Sequence, residues 1–175
     1  MWKTKKFGDL VATKGTGLER KATLQSADKE FPYLKMNNIT NDNRLDVTRI
    51  TYVDANSKEI EKYRLNKNDF LFNTRNSVEL VGKSAVFEDE NLVLFNNNIL
   101  RVKFISSVNA KYVNYFLTSD SGKMQLNKVK TGTTNVAAIY YKDLQNIEIL
   151  LPPLAEQQRI VAKLDAAYTE IDGAI

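Results

Sequence analysis

The sequence predicts an α+β fold: a mixed or antiparallel β core with short helices, followed by a long C-terminal helix of coiled-coil type. Three observations carry this expectation. β-branched and aromatic runs recur along the first two-thirds of the chain, as at residues 49–53, 70–72 and 99–105. The period then changes, with Val108, Tyr112, Tyr115 and Phe116 at helical spacing. Finally, Pro152 and Pro153 stop a strand and are followed by apolar residues at heptad spacing.

Taken in order, residues 7–11 suit a short helix and Lys14-Gly15-Thr16-Gly17 a flexible polar turn. Residues 33–36 read as a short strand leaving at Asn37-Asn38, and residues 49–53 as a second strand. Asp54 is placed to cap a short helix through Glu61. The turn at residues 66–69 leads into the strand 70–72. Strands are expected at 81–87, 92–95 and 99–105, with Glu88-Asp89-Glu90-Asn91 as a hairpin turn between the first two. Helices are expected at 108–117 and 121–130, the second ending at residues 131–135. The chain returns to strand at 147–151. Pro153 then fits the first turn of a helix, where its missing N–H has no partner to lose. Glu156 in that turn opposes the positive helix end.

Beyond Leu154 the apolar positions are Val161, Leu164, Tyr168, Ile171 and Ile175, in steps of seven, three, four, three and four. This is an a/d seam with Gln157 at its one polar d position. The seam can pack on its own domain or form a coiled-coil arm. The second reading is preferred, because the seam runs to the last residue with no returning element. The charged face, with Glu156, Arg159, Lys163, Asp165, Glu170 and Asp172, reads as solvated. The expected organisation is a domain over residues 1–151 and an assembly helix over 152–175.

Composition narrows the function. The chain has 175 residues and no cysteine or histidine, so disulfide scaffolds, zinc sites and His-dependent hydrolases are excluded. The net charge of +4 permits a polyanionic partner without requiring one. No run approaches the length of a membrane span, and the cytoplasm is the expected location.

Three short matches to catalytic motifs fail. Leu151-Pro152-Pro153-Leu154 has the prolines of an Asn/Asp-Pro-Pro-Tyr methyltransferase loop but neither its polar acceptor nor its stacking aromatic. Glu19-Arg20-Lys21 matches a nuclease Glu-x-Lys without a further carboxylate for a metal. Glu88-Asp89-Glu90 is explained by a turn. No catalytic residue, metal or cofactor is expected in this chain.

Nucleic-acid binding has better support. A DNA reader needs cations for phosphates and Arg, Lys, Asn or Gln for base edges. Such residues cluster in the loops: Lys14, Thr16, Arg20 and Lys21; Asn37 and Asn38; Asn73, Arg75 and Asn76; Asn96, Asn97 and Asn98; and Lys128, Lys130, Thr131, Thr133, Thr134 and Asn135. Each cluster alone also fits ordinary turn chemistry. The Arg75-Asn76 loop and the turn at residues 130–135 are the strongest candidates, because each joins a polar turn to a regular element.

The run Pro-Pro-Leu-Ala-Glu-Gln-Gln-Arg-Ile-Val at residues 152–161 resembles the boundary between target recognition domain and helix in type I restriction-modification specificity subunits. Trp2…Phe7-Gly8-Asp9-Leu10, Tyr63-Arg64-Leu65…Asp69-Phe70-Leu71-Phe72, Gly82-Lys83 and Thr131-Gly132-Thr133 fit the same pattern in the same order. The resemblance covers essentially the whole chain. It implies a non-catalytic subunit that reads double-stranded DNA. It also implies methyltransferase and restriction subunits as partners, with S-adenosylmethionine bound by the methyltransferase. That family carries two recognition domains and two long helices, whereas one of each is expected here. The chain is then a fragment or a half-subunit, the latter pairing as a homodimer through Leu154, Val161, Leu164, Tyr168, Ile171 and Ile175. The competing reading is an assembly module that does not read DNA.

Overall fold

The computed structural model describes residues 2–78, 81–132 and 136–173. The chain opens with β1 (Lys3–Lys6), a single 3-10 turn (Phe7–Leu10) and β2 (Val11–Thr16). Then follow β3 (Phe31–Leu34), β4 (Thr51–Val53), α1 (Ser57–Tyr63), β5 (Phe70–Asn73), β6 (Arg75–Asn76), β7 (Ser84–Val86), β8 (Leu94–Phe95) and β9 (Ile99–Phe104). The last part holds α2 (Ala110–Thr118), α3 (Asp120–Val129), β10 (Thr131–Gly132), β11 (Ala137–Ala138), α4 (Tyr141–Leu144), β12 (Glu148–Leu151) and α5 (Leu154–Gly173).

The central element is a four-stranded antiparallel sheet in the order β2-β9-β5-β7. β5 lies inside it and all four of its residues are buried. Its Phe-Leu-Phe run does not alternate with polar residues because both faces are covered. Phe70 and Phe72 face a core built with α2, α3, α4 and Val161 of α5. Leu71 faces a second core with Leu34, Ile39, Leu65 and Phe95. Phe7, Phe70 and Phe104 meet with ring centroids 5.4–5.9 Å apart, which fastens the first turn to the sheet.

Several expectations change in three dimensions. Lys14 to Thr16 belong to β2, not to a turn, because β9 supplies their backbone partners. The turn at residues 88–91 does not close a hairpin: β7 pairs with β5, while β8 pairs in parallel with β3 in a separate sheet. The helix after β4 is capped by Asn56, whose Oδ1 accepts from Glu59 N at 3.0 Å, while Glu59 Oε2 accepts from Asn56 N. Asp54 instead pairs with Lys29 at 2.8 Å. β1 pairs with β12, so the basic start of the chain is a strand.

α5 is one 20-residue helix, and its seam is not free of its own chain. Gln157 is wholly buried. Its Oε1 accepts from Asn109 N at 2.8 Å, and its Nε2 donates to Ser107 O and Pro152 O. Val161 sits in the core. Tyr168 stacks on Tyr115 of α2 at 5.7 Å, with the Arg44 guanidinium on the Tyr168 ring. Asp165 accepts from both Tyr115 Oη and Lys111 Nζ. Leu154 and Leu164 are half-buried and Ile171 is 57% exposed. Of the two readings of the seam the coiled-coil arm is preferred from sequence, yet at Val161 and Tyr168 the seam packs on its own domain. A helix with a 3.6-residue turn lying along α2 needs the same stripe as a coiled coil.

Gln157→Leu leaves the Asn109 N–H and two carbonyls without their partner in a dry site. It should cost about 2–3 kcal/mol in denaturant unfolding, with the m-value unchanged. Asn56→Ala should cost about 1 kcal/mol through the lost cap. The Asn56 N–H, and then Arg20, hold the Glu59 carboxyl below its ordinary 4.5. A depressed carboxyl stabilises the fold above its unfolded value and loses that contribution as pH falls through the folded one. Between about pH 5 and pH 3, Glu59→Gln should therefore lose less of its Tm than the wild type.

Candidate nucleic-acid interface

The register of the central sheet brings its loops to one end. Thr16 closes β2 opposite Leu100, and Asn73 closes β5 opposite Ile99. The Asn96–Asn98 turn enters β9 between them: Asn98 O accepts from Thr74 Oγ1 at 2.9 Å, and Leu18 bridges Asn96. Three strand spacings separate β2 from β7, about 14 Å in all. Thr16, Asn97 and the 74–76 segment therefore share one edge of the molecule.

A small three-stranded sheet extends this edge. β11 lies between β10 and β6, so Ala138 pairs with Thr131 on one side and Arg75 on the other. Ala137 likewise pairs with Gly132 and Asn76. The two loops singled out from sequence, one at Arg75-Asn76 and one from Lys130 onward, are thus neighbours about 10 Å apart. Gly132 makes the approach possible: a Cβ there would lie 2.3 Å from Val136 O. The Ile139 N–H donates to Thr74 O at 3.0 Å and ties this ribbon to the main sheet.

Polar and cationic side chains are exposed here, alongside Val78 and Val136. Arg75 Nη2 donates to Tyr140 Oη at 2.8 Å, with the guanidinium 5.5 Å from the ring. Lys14 Nζ stands 4.4 Å from the adjacent Tyr141 ring. Thr131 is exposed and its hydroxyl donates to Ala138 O. Lys130 Nζ donates to Val78 O at 2.8 Å, which pins the end of α3 to the loop after β6. Asn76 Oδ1 accepts from Ser77 N, and Asn97 is half-exposed. Lys128 is exposed on the last turn of α3. Among the described residues no carboxylate pairs with Lys14, Arg75, Lys128 or Lys130.

Three expected contacts are corrected. Arg20 is committed internally: Nη2 binds Glu59 Oε2 at 2.7 Å and Asp54 O at 3.1 Å. Asn38 is buried, with Oδ1 accepting from Lys35 N and Nδ2 donating to Asp46 O. Asn73 is wholly buried, its Nδ2 donating to Met36 O at 3.0 Å. The buried amides of Asn38 and Asn73 cannot reach a base edge, and the half-buried Arg20 guanidinium is held by its internal partners. Lys21 and Asn37 are exposed, outside the ribbon. Thr133, Asn135 and Ile175 lie outside the described residues. Sequence reasoning missed Tyr140 and Tyr141; the available signal was an aromatic pair just after the hydroxyl-rich turn.

The acidic matches resolve into ordinary pairs. Glu88 binds Lys111 and Glu90 binds Lys67, while Asp89 Oδ1 accepts from Glu90 N and Asn91 N. Among the described residues no three acidic side chains gather as a metal site, and no helix is long and apolar enough to cross a membrane.

The comparisons with known proteins agree with one another. The chain is 30% identical over 99% of its length to the MjaX type I restriction enzyme specificity subunit of Methanocaldococcus jannaschii, 41% of which it covers. It is 28% identical over 73% of its length to the EcoKI specificity subunit of Escherichia coli K12, covering 28% of that protein. The fold matches the HsdS subunit from Thermoanaerobacter tengcongensis with a TM-score of 0.67 at 20% identity, over 98% of this chain and 38% of that one. A chain from a type I restriction-modification assembly gives 0.71 at 21% identity, over 99% and 40%. The chain thus spans about two-fifths of the relatives it matches along its whole length. The family model for the type I restriction modification DNA specificity domain matches residues 1–174, and the chain belongs to that family.

Proposed function

We propose that this chain reads one half of a bipartite DNA site and that α5 carries the reading domain within a larger methyltransferase and restriction assembly. The observation that carries the reading is the convergence of Arg75, Asn76 and Thr131 on one ribbon, beside Lys14 and Asn97, with no carboxylate paired to these cations among the described residues. Such an edge suits the major groove, where Arg meets guanine O6 and N7 and Asn meets adenine N6 and N7 in pairs of hydrogen bonds. Lys14, Lys128 and Lys130 suit phosphates, which add affinity without sequence information. Tyr140 serves as a support for Arg75, holding its guanidinium in one orientation before DNA arrives.

The helix begins at the other end of the sheet, beyond Phe104, where Gln157 bonds to Ser107 and Asn109. Reading and assembly are therefore assigned to opposite ends of the central sheet. S-adenosylmethionine chemistry belongs to the partner methyltransferase subunit. Pairing with a second recognition unit is assigned to the far part of α5, where Ile171 is 57% exposed. Two identical copies related by a twofold axis read an inverted repeat.

Selection from a random duplex library, with the chain bound to its methyltransferase subunit, tests the reading. A single enriched half-site at moderate salt is expected, and no enrichment overturns it in favour of a module that only assembles. Arg75→Ala should cost about 1–3 kcal/mol of binding and relax one base position. An unchanged site and affinity remove Arg75 from the interface. Sedimentation of the chain should show a dimer that Leu164→Asp with Ile171→Asp converts to a monomer. A wild type that is monomeric at high micromolar concentration rules out the homodimer.

A further inference from the structure

We infer that Lys83 is a phosphate anchor, whose ammonium holds one backbone phosphate at the border of the groove entered by the Arg75 ribbon. The inference rests on the recognition reading above and adds a residue outside every loop cluster that reading uses.

Position comes first. Lys83 O accepts from Asn73 N at 2.8 Å, and Asn73 O accepts from Gly82 N at 3.1 Å. Lys83 therefore stands opposite the last residue of β5, at the same end of the sheet as Thr16 and Asn97. Asn73 precedes Arg75 by two residues, about 7 Å of extended chain. The major groove is about 12 Å wide, so a ribbon lying in it has phosphates about 6 Å to either side. Lys83 joins this end of the sheet through its backbone, and its Nζ, which reaches Asn41 of a neighbouring loop, stands beside the ribbon rather than on it, on the side where the groove's phosphate wall would lie.

The second observation is the state of the ammonium. Lys83 is half-buried, and its Nζ has one long contact, to Asn41 Oδ1 at 3.4 Å. Four lysines of the fold have acids: Lys29 has Asp54, Lys67 has Glu90, Lys103 has Asp69 and Lys111 has Glu88 and Asp165. Among the described residues Lys83 has none. Burial alone pushes its pKa down, with no neighbouring charge to raise it. A partly desolvated cation without a counter-ion costs the fold stability. An incoming phosphate supplies the missing charge. Lysine presents a point charge without the planar fork of arginine, which suits a phosphate oxygen better than paired contacts on guanine.

The test uses the full chain with Lys83→Met and Lys83→Arg, measuring Tm, the selected sequence and the salt dependence of DNA affinity. Methionine keeps the stem and removes the charge, so Tm should stay level or rise. The slope of log affinity against log salt should become shallower by about 0.9. From about 50 to 200 mM salt the wild type should then lose about 3.5-fold more affinity than the methionine variant. The selected sequence should be unchanged, and Lys83→Arg should keep the wild-type slope. An unchanged slope for Lys83→Met overturns the inference. So does a lowered Tm, which makes the lysine structural, or an altered base preference, which makes it a base reader. A wild type that selects no sequence overturns the recognition reading itself, and this inference with it.

Discussion

The buried amide of Gln157 fixes where the C-terminal helix leaves the domain, and the division of the molecule into two ends depends on it. A glutamine in a dry site is costly unless its donors and acceptor are met. Here the carbonyl takes the N–H of Asn109, at the start of α2, and the NH2 group meets two backbone carbonyls. The side chain thus joins three segments: the loop after β9, the Pro152-Pro153 joint and α5 itself. An apolar residue at this position could slide by a turn of helix. An amide with three directional partners cannot.

From that end the central sheet carries order to the other. β5 is buried on both faces, so its register against β9 and β7 is fixed by two cores rather than one. A slip by one residue would exchange Phe70 and Phe72 with Leu71 between cores of different shape. The same register sets Asn73 opposite Ile99 and beside Lys83, and so decides which loops stand together at the far edge. Ser84, Asn114 and the backbone of Asn43 extend the connection through a buried hydrogen-bonded chain between β7, α2 and the loop before β4.

Local signals were legible in the residues where local physics decides. The Phe-Leu-Phe run, the proline stop and the helical spacing from Val108 to Phe116 all became the expected elements. Pairing partners were not legible. Two-residue strands such as β6, β10 and β11 have no period of their own, and only tertiary contact makes them strands. β8 follows a turn suited to a hairpin yet joins β3 in parallel, because Leu94 and Phe95 complete cores on that side. The candidate site shows the same limit. Residue type marked Arg20, Asn38 and Asn73 as DNA contacts as readily as Arg75. Their internal partners, Glu59, Asp46 and Met36, lie 8 to 39 residues away in sequence. The seam of α5 was visible as a stripe, but a stripe does not say which surface covers it.

Gln157 and Tyr168 stand eleven residues apart on one stripe of α5, three helical turns and about 16 Å. The helix is thereby clamped at two bearings rather than one. A 1 Å error at either bearing tilts the axis by about 3–4°. Over the full helix, about 30 Å long, that tilt moves the tip by about 2 Å. Successive base pairs rise by about 3.4 Å. A displacement of that size is smaller than one such step, which is what the proposed spacing of a second reader would require of this helix.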